Sequence, residues 1–229
     1  MLILGLTKTT LLDYPGHVAS TVFTGGCNFR CPFCHNGPFV LNPAGESPVS
    51  REEIFEHLLK RKNVLDGVCI TGGEPTIQAD LPIFVRRIKD MGYSVKLDTN
   101  GANPGVLRKL VEEGMVDYVA MDMKNSYSKY IMTTGCTRKS LEMVMESASF
   151  LMEGRVPYEF RTTVVRELHN AEDFKEIATQ ISGADHWYIQ SFKDSDNVID
   201  HSFSAYTKEE LEKMISDIHE VEVTLRGIE

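Results

Sequence analysis

Val68–Asp98 reads VCITGGEPTIQADLPIFVRRIKDMGYSVKLD, and its three parts decide the fold. Val68 to Thr71 is a short apolar run closed by Gly72-Gly73-Glu74-Pro75, the pattern of a buried strand that ends in a turn. Leu81 to Met91 then carries Ile83, Phe84, Ile88 and Met91 on one helical face, and Ser94 to Asp98 returns to strand character. Strands separated by a helix of this length predict a right-handed βαβ unit with parallel strands.

The same alternation extends in both directions. Val18 to Phe23, Val116 to Asp122, Tyr158 to Val165 and Trp187 to Phe192 read as strands, with a short final one over Val221 to Leu225. Helices are predicted after the capping boxes at Ser50 and Thr207, from Pro104, over Ser140 to Glu153 before Gly154, and over Asn170 to Ile181. About six such units are too few for a closed eightfold barrel. The expected architecture is therefore α/β, a partial, open (β/α)6 TIM-type barrel of parallel strands, with a doubly wound sheet as the alternative. In both, ligands bind at the carboxyl ends of the strands. No Pro/Ser/Gly-rich linker divides the sequence, so residues 1–229 are expected to form one domain.

With 229 residues, 42% hydrophobic and 25% charged, the chain can bury a core of its own. Asp plus Glu number 33 against 24 Lys plus Arg, a net charge of -9, which gives no electrostatic case for binding nucleic acid. Met1 to Leu6 is apolar but too short for a membrane span and lacks the basic start of a signal peptide, so a cytoplasmic location is expected.

Five cysteines make a poor disulfide framework, and three of them crowd into Cys27-Asn28-Phe29-Arg30-Cys31-Pro32-Phe33-Cys34, directly after the first predicted strand and its Gly25-Gly26 turn. Three thiolates in one loop can wrap a single inorganic centre. Structural zinc takes four ligands, and no second Cys or His pair is present; a Cys3His site using the adjacent His35 is sterically awkward. A [4Fe-4S] cluster held by three cysteines leaves one iron open. Cys69 and Cys136 stand apart and read as structural, Cys69 as a small hydrophobe inside a buried strand.

The CxxxCxxC loop resembles the cluster-binding loop of the radical S-adenosylmethionine superfamily. Leu12-Asp13-Tyr14-Pro15-Gly16 together with Phe23 to Asn36 is similar to the activases of glycyl-radical enzymes, in particular those of anaerobic ribonucleoside-triphosphate reductase. The resemblance implies that Cys27, Cys31 and Cys34 hold a [4Fe-4S] cluster whose open iron chelates S-adenosylmethionine. It further implies one-electron cleavage of that cofactor to a 5'-deoxyadenosyl radical, fed by flavodoxin or a similar reductant. The radical would take a hydrogen from a glycine of the reductase catalytic subunit.

Three more motifs fall after predicted strands. Gly72-Gly73-Glu74 matches the family's GGE, in which the glycines admit a ligand to the backbone and the carboxylate meets the amino group of S-adenosylmethionine. By the same resemblance Asp98, Thr99 and Asp122 help to hold S-adenosylmethionine and, in some relatives, a monovalent cation. Lys124 shares a strand face with Asp122 and can meet a ligand carboxylate. Arg161 lies inside a strand-like run and needs an anion, either the ligand or an acid such as Glu159. Phe33 and His35 match adenine-contacting positions. Gln190 ends the sixth predicted strand and is a weaker candidate, and Trp187 is expected in the core. The polar Lys193 to Phe203 segment is expected to border the partner's entry path or to be a plain solvated connection.

Three alternatives stay open: an activase of the pyruvate formate-lyase kind, a small-molecule radical enzyme such as 7-carboxy-7-deazaguanine synthase, and a non-catalytic iron-sulfur or zinc module.

Overall fold

In the computed structural model, which describes residues 1–227, β1 (Ile3–Thr10) and β2 (Ala19–Thr24) precede α1 (Gly37–Leu41), α2 (Arg51–Lys60), β3 (Gly67–Gly72) and α3 (Leu81–Asp90). β4 (Ser94–Thr99), α4 (Pro104–Glu112), β5 (Tyr118–Asp122), α5 (Tyr130–Thr134) and α6 (Arg138–Leu151) follow. The series continues with β6 (Tyr158–Val164), α7 (Ala171–Gln180), β7 (Trp187–Ser191), α8 (Lys208–Ile215) and β8 (Val223–Arg226).

The strands stand in the order β1 to β8 in an open, mostly parallel sheet, with no closed barrel among the described residues. The expected α/β class and open architecture hold; of the eight strands only β1, which runs antiparallel to β2, was not among those expected. Gly5 and the lack of apolar alternation beyond Leu6 hide β1 from a periodicity reading; Ile3 and Leu4 are nevertheless buried. Within the sheet, β2–β3, β3–β4, β6–β7 and β7–β8 are parallel ladders, so their carboxyl ends carry the following loops in the same direction.

The chain falls into two compact units. The first comprises Met1–Asn28, Asn36–Thr99 and Gly105–Val119; the second comprises Phe29–His35, Asn100–Pro104 and the chain from Ala120 onward. In the first, Val68, Ile70, Val95 and Leu97 of the strands are buried together with Ile54 and Leu58 of α2 and Phe84, Val85 and Ile88 of α3. In the second, Phe160, Val164 and Ile189 are buried with Leu141 and Val144 of α6 and Phe174 and Ile177 of α7. Trp187 is a core residue as expected: its indole N–H donates to Thr162 Oγ1 at 2.9 Å, and its ring meets Phe174 edge-on.

The helix starts follow their caps. Ser50 accepts from the Glu53 backbone N–H, while Asn170–Asp173 and Thr207–Glu210 are reciprocal capping boxes. α6 begins before the expected Ser140, because Thr137 is the cap and accepts from the Ser140 N–H.

Candidate functional site

In the first unit the exit of β3 is built backbone against backbone. Gly72 has φ +110°, and a Cβ on Gly73 would fall 1.9 Å from the carbonyl oxygen of Gly26. The Gly73 and Glu74 N–H groups donate to Thr24 O and Gly26 O, both at 2.8 Å. Gly72 is thus required by close approach to the backbone of Thr24, and Gly73 by close approach to Gly26 in the turn that leads into Cys27. Asn36 Nδ2 adds a bond to Gly72 O at 2.7 Å, and Gln78 Nε2 one to Gly25 O at 2.8 Å.

Glu74 is 1% exposed, which excludes a solvated turn residue. Its Oε1 accepts from the Thr76 N–H at 3.0 Å, the Thr76 hydroxyl at 2.5 Å and the Thr99 hydroxyl at 2.7 Å. A carboxylate held by three donors cannot rotate, and it offers a fixed negative charge to a cationic group. The structure thus brings Glu74 and Thr99 together. Asp98 instead engages the ammonium of Lys96, two residues earlier on β4.

In the second unit the Cys34 N–H donates to Cys31 O at 3.1 Å and closes a turn. Cys31 is buried and Cys34 half-buried. The Lys193 to Phe203 segment clasps this turn: Ile199 N–H donates to Cys34 O at 3.2 Å and Asp200 N–H to Pro32 O at 3.0 Å. His35 Nε2 lies 2.8 Å from Lys193 O, and the ring of Phe33 is edge-on to His169 and Phe203. Phe33 is buried and His35 exposed. The segment is more than a solvated connection, since its backbone helps to set the shape of the cysteine turn.

At the end of β5, Asp122 Oδ2 accepts from Lys124 Nζ at 2.8 Å and Asp122 Oδ1 from Arg161 Nε at 3.0 Å. Burial alone would raise the Asp122 carboxyl, but the Arg161 and Lys124 charges outweigh it and hold it at about 2. Burial likewise opposes the Lys124 ammonium; Asp122 and then the thiols of Cys31 and Cys34 push its pKa up. Two cations and one anion leave this trio with one excess positive charge, suited to a carboxylate ligand. Glu159, the acid named as a possible partner, is buried and takes a bidentate bond from Arg226 at 3.0 and 3.1 Å.

His169, which the sequence reading overlooked, is 1% exposed. Its Nε2 lies 3.0 Å from Lys124 O, and its Nδ1 lies 3.2 Å from both the N and the O of Val165. Burial is the main cause that lowers its pKa and favours the neutral ring. Asn125 Nδ2 to Leu168 O at 3.1 Å and Ser126 Oγ to Asp173 Oδ1 at 2.8 Å complete the fixing of the loop after β5. Sequence held little signal for this network beyond the Asn170–Asp173 capping box. Gln190 is half-buried on β7. Cys69 and Cys136 are buried, as structural cysteines should be.

All five cysteines carry thiols. Among the described residues, no three His, Cys, Asp or Glu side chains form a group that could hold a single metal ion.

The chain is similar to several known proteins. Over 199 residues it is 34% identical to a Methanocaldococcus jannaschii protein that carries the provisional name of glycyl-radical enzyme activating enzyme, covering 85% of this chain and 81% of that one. Over 215 residues it is 26% identical to the pyruvate formate-lyase-activating enzyme of Listeria monocytogenes, covering 87% and 82%. Among solved structures, Streptococcus suis SuiB superposes with a TM-score of 0.68 at 13% identity over 89% of this chain; the chain spans about half of that protein, 47%. This last likeness speaks for the fold alone. The radical SAM superfamily matches residues 21–181, a span that takes in Cys27, Cys31 and Cys34, the Glu74 loop and Arg161, and the chain belongs to that superfamily.

Proposed function

We propose that this protein is an activase that generates a glycyl radical on anaerobic ribonucleoside-triphosphate reductase, acting as a single radical SAM domain over residues 1–229 in the cytoplasm, with flavodoxin or a similar protein as reductant. Membership of the superfamily implies a [4Fe-4S] cluster and S-adenosylmethionine. The donor set fits: three soft thiolates in one loop suit such a cluster, and charge on Cys31 and Cys34 is felt at Lys124, beside the positive trio. When bound, cluster and S-adenosylmethionine supply one-electron cleavage and hydrogen abstraction, the chemistry that the protein itself lacks.

The chain's own residues bind and orient. Cys27, Cys31 and Cys34 hold the cluster. Glu74, fixed by Thr76 and Thr99, receives the ligand's ammonium group, and Lys124 and Arg161 receive its carboxylate. Asp98 and Asp122 set the charge around it. Exposed His35 meets the adenine, while buried Phe33 secures the loop between His169 and Phe203. The observation that carries the reading is the net positive Asp122–Lys124–Arg161 trio within electrostatic reach of two of the three motif cysteines. Among the described residues, no helix is long and apolar enough to cross a membrane.

The test is to reduce the reconstituted protein anaerobically, add S-adenosylmethionine and the reductase catalytic subunit, and record electron paramagnetic resonance. A glycyl-radical doublet with matching 5'-deoxyadenosine supports the assignment. A second reading, activation of a pyruvate formate-lyase, is favoured by the similarity to the Listeria enzyme. A doublet on a formate-lyase alone would select it, and 5'-deoxyadenosine without any protein radical would defeat both.

A further inference from the structure

An anion hidden from water needs a countercharge, which comes either from solution or from the chain. On β4 the chain provides one. Lys96 and Asp98 are two residues apart on a strand and so share a face. Lys96 is 2% exposed and Asp98 13%, and their ammonium and carboxylate form an ion pair. Lys96 stands in register with Cys69 on β3, whose Sγ lies 3.9 Å from its Nζ. Lysine normally keeps its charge in water at the end of its long stem, so burial this deep depends on the partner. The pair sits at the carboxyl end of β4, and the next residue, Thr99, bonds Glu74.

We propose that Lys96 is a positioning residue: its buried ammonium is the built-in countercharge of Asp98, orients that carboxylate at the ligand end of β4, and makes S-adenosylmethionine binding independent of any dissolved monovalent cation. The proposal rests on the reading of this end of β4 as part of the S-adenosylmethionine site. It replaces the dissolved cation expected beside Asp98 and Thr99 by a side chain.

The experiment measures the dissociation constant of S-adenosylmethionine on cluster-loaded protein in sodium, potassium or choline at equal ionic strength. The wild type should vary by no more than about twofold, a change small against one charge-assisted hydrogen bond. Lys96→Met should bind about ten- to a hundredfold more weakly in choline and recover saturably as sodium or potassium is added, whereas Lys96→Arg should remain independent of the cation. Thallium NMR of the wild type, which needs no variant, should show no saturable line broadening. Cation-dependent binding or saturable thallium broadening in the wild type would overturn the proposal, as would undiminished affinity of Lys96→Met in choline. If Lys96→Met does not fold, the wild-type salt and thallium series decides. Failure of the wild type to bind S-adenosylmethionine in every salt is a different result, which overturns the functional assignment and this proposal with it.

Discussion

The hydroxyl of Thr99, last residue of β4, donates to Glu74 Oε1 at 2.7 Å and ties the end of one strand to the loop after its neighbour. Glu74 keeps its orientation even though two other donors crowd the same oxygen. Thr99→Val removes one donor while preserving shape. It should weaken S-adenosylmethionine binding about three- to tenfold and leave iron content unchanged. Isothermal titration of the cluster-loaded variant checks this.

Lys124→Ala leaves Asp122 with Arg161 alone and removes the excess positive charge of the trio. The expected loss is about one to two decades in affinity for S-adenosylmethionine with the cluster intact. Unchanged affinity together with normal 5'-deoxyadenosine formation would show that the trio is structural.

Gly73→Ala places a methyl 1.9 Å from a backbone oxygen of Gly26, which no side-chain movement relieves. Overpacking of this kind costs about 1–3 kcal/mol, a fall in Tm of about 2–12 °C for a chain this size. It should also disturb the cysteine loop, read as a lower iron-to-protein ratio after reconstitution.

His169 is held neutral, its pKa lowered by burial. In the unfolded chain it protonates with a pKa of about 6.5, so its contribution is complete above that pH and is lost as pH falls towards the folded value. Urea unfolding between about pH 7.5 and 5 should show stability dropping with acid, and His169→Gln should flatten part of that slope. The partly buried His57, also lowered mainly by burial, adds to the slope in the same direction. A slope identical in the variant would contradict the lowered pKa of His169.

Periodicity made most of the sheet and its helices readable, because β2 to β7 and the long helices each carry their own pattern or cap. Short elements escaped. α5 is Tyr-Ile-Met-Thr-Thr, whose β-branched residues argue against a helix; it persists through the buried Tyr130, the Thr134 hydroxyl on Tyr130 O and the left-handed Gly135 that ends it. The Gly72-Gly73-Glu74 motif was found for its likeness to a ligand loop, yet its glycines answer to the backbone of Thr24 and Gly26. Spacing suggested that Lys124 and Asp122 meet, and they do at 2.8 Å, but not as neighbours on one strand face: β5 ends at Asp122 and Lys124 lies in the loop beyond it. It could not foresee that Asp122 pairs with Arg161 or that Arg226 pairs with Glu159, because each pair joins residues distant in sequence. Lys96 and His169 passed unnoticed for a related reason: nothing in an isolated Lys or His marks it as buried until its tertiary partners are known.

The central claim, that S-adenosylmethionine sits on a cluster at the Cys27–Cys34 loop with its amino and carboxylate groups bound, is tested most directly by electron-nuclear double resonance. The reduced protein would be studied with S-adenosylmethionine carrying nitrogen and oxygen isotope labels in those two groups. The account predicts hyperfine coupling of both labels to the cluster, lost when any of Cys27, Cys31 or Cys34 is changed to Ser. A protein that purifies anaerobically with stoichiometric zinc and no iron, or a reduced cluster that couples to neither label, would contradict it.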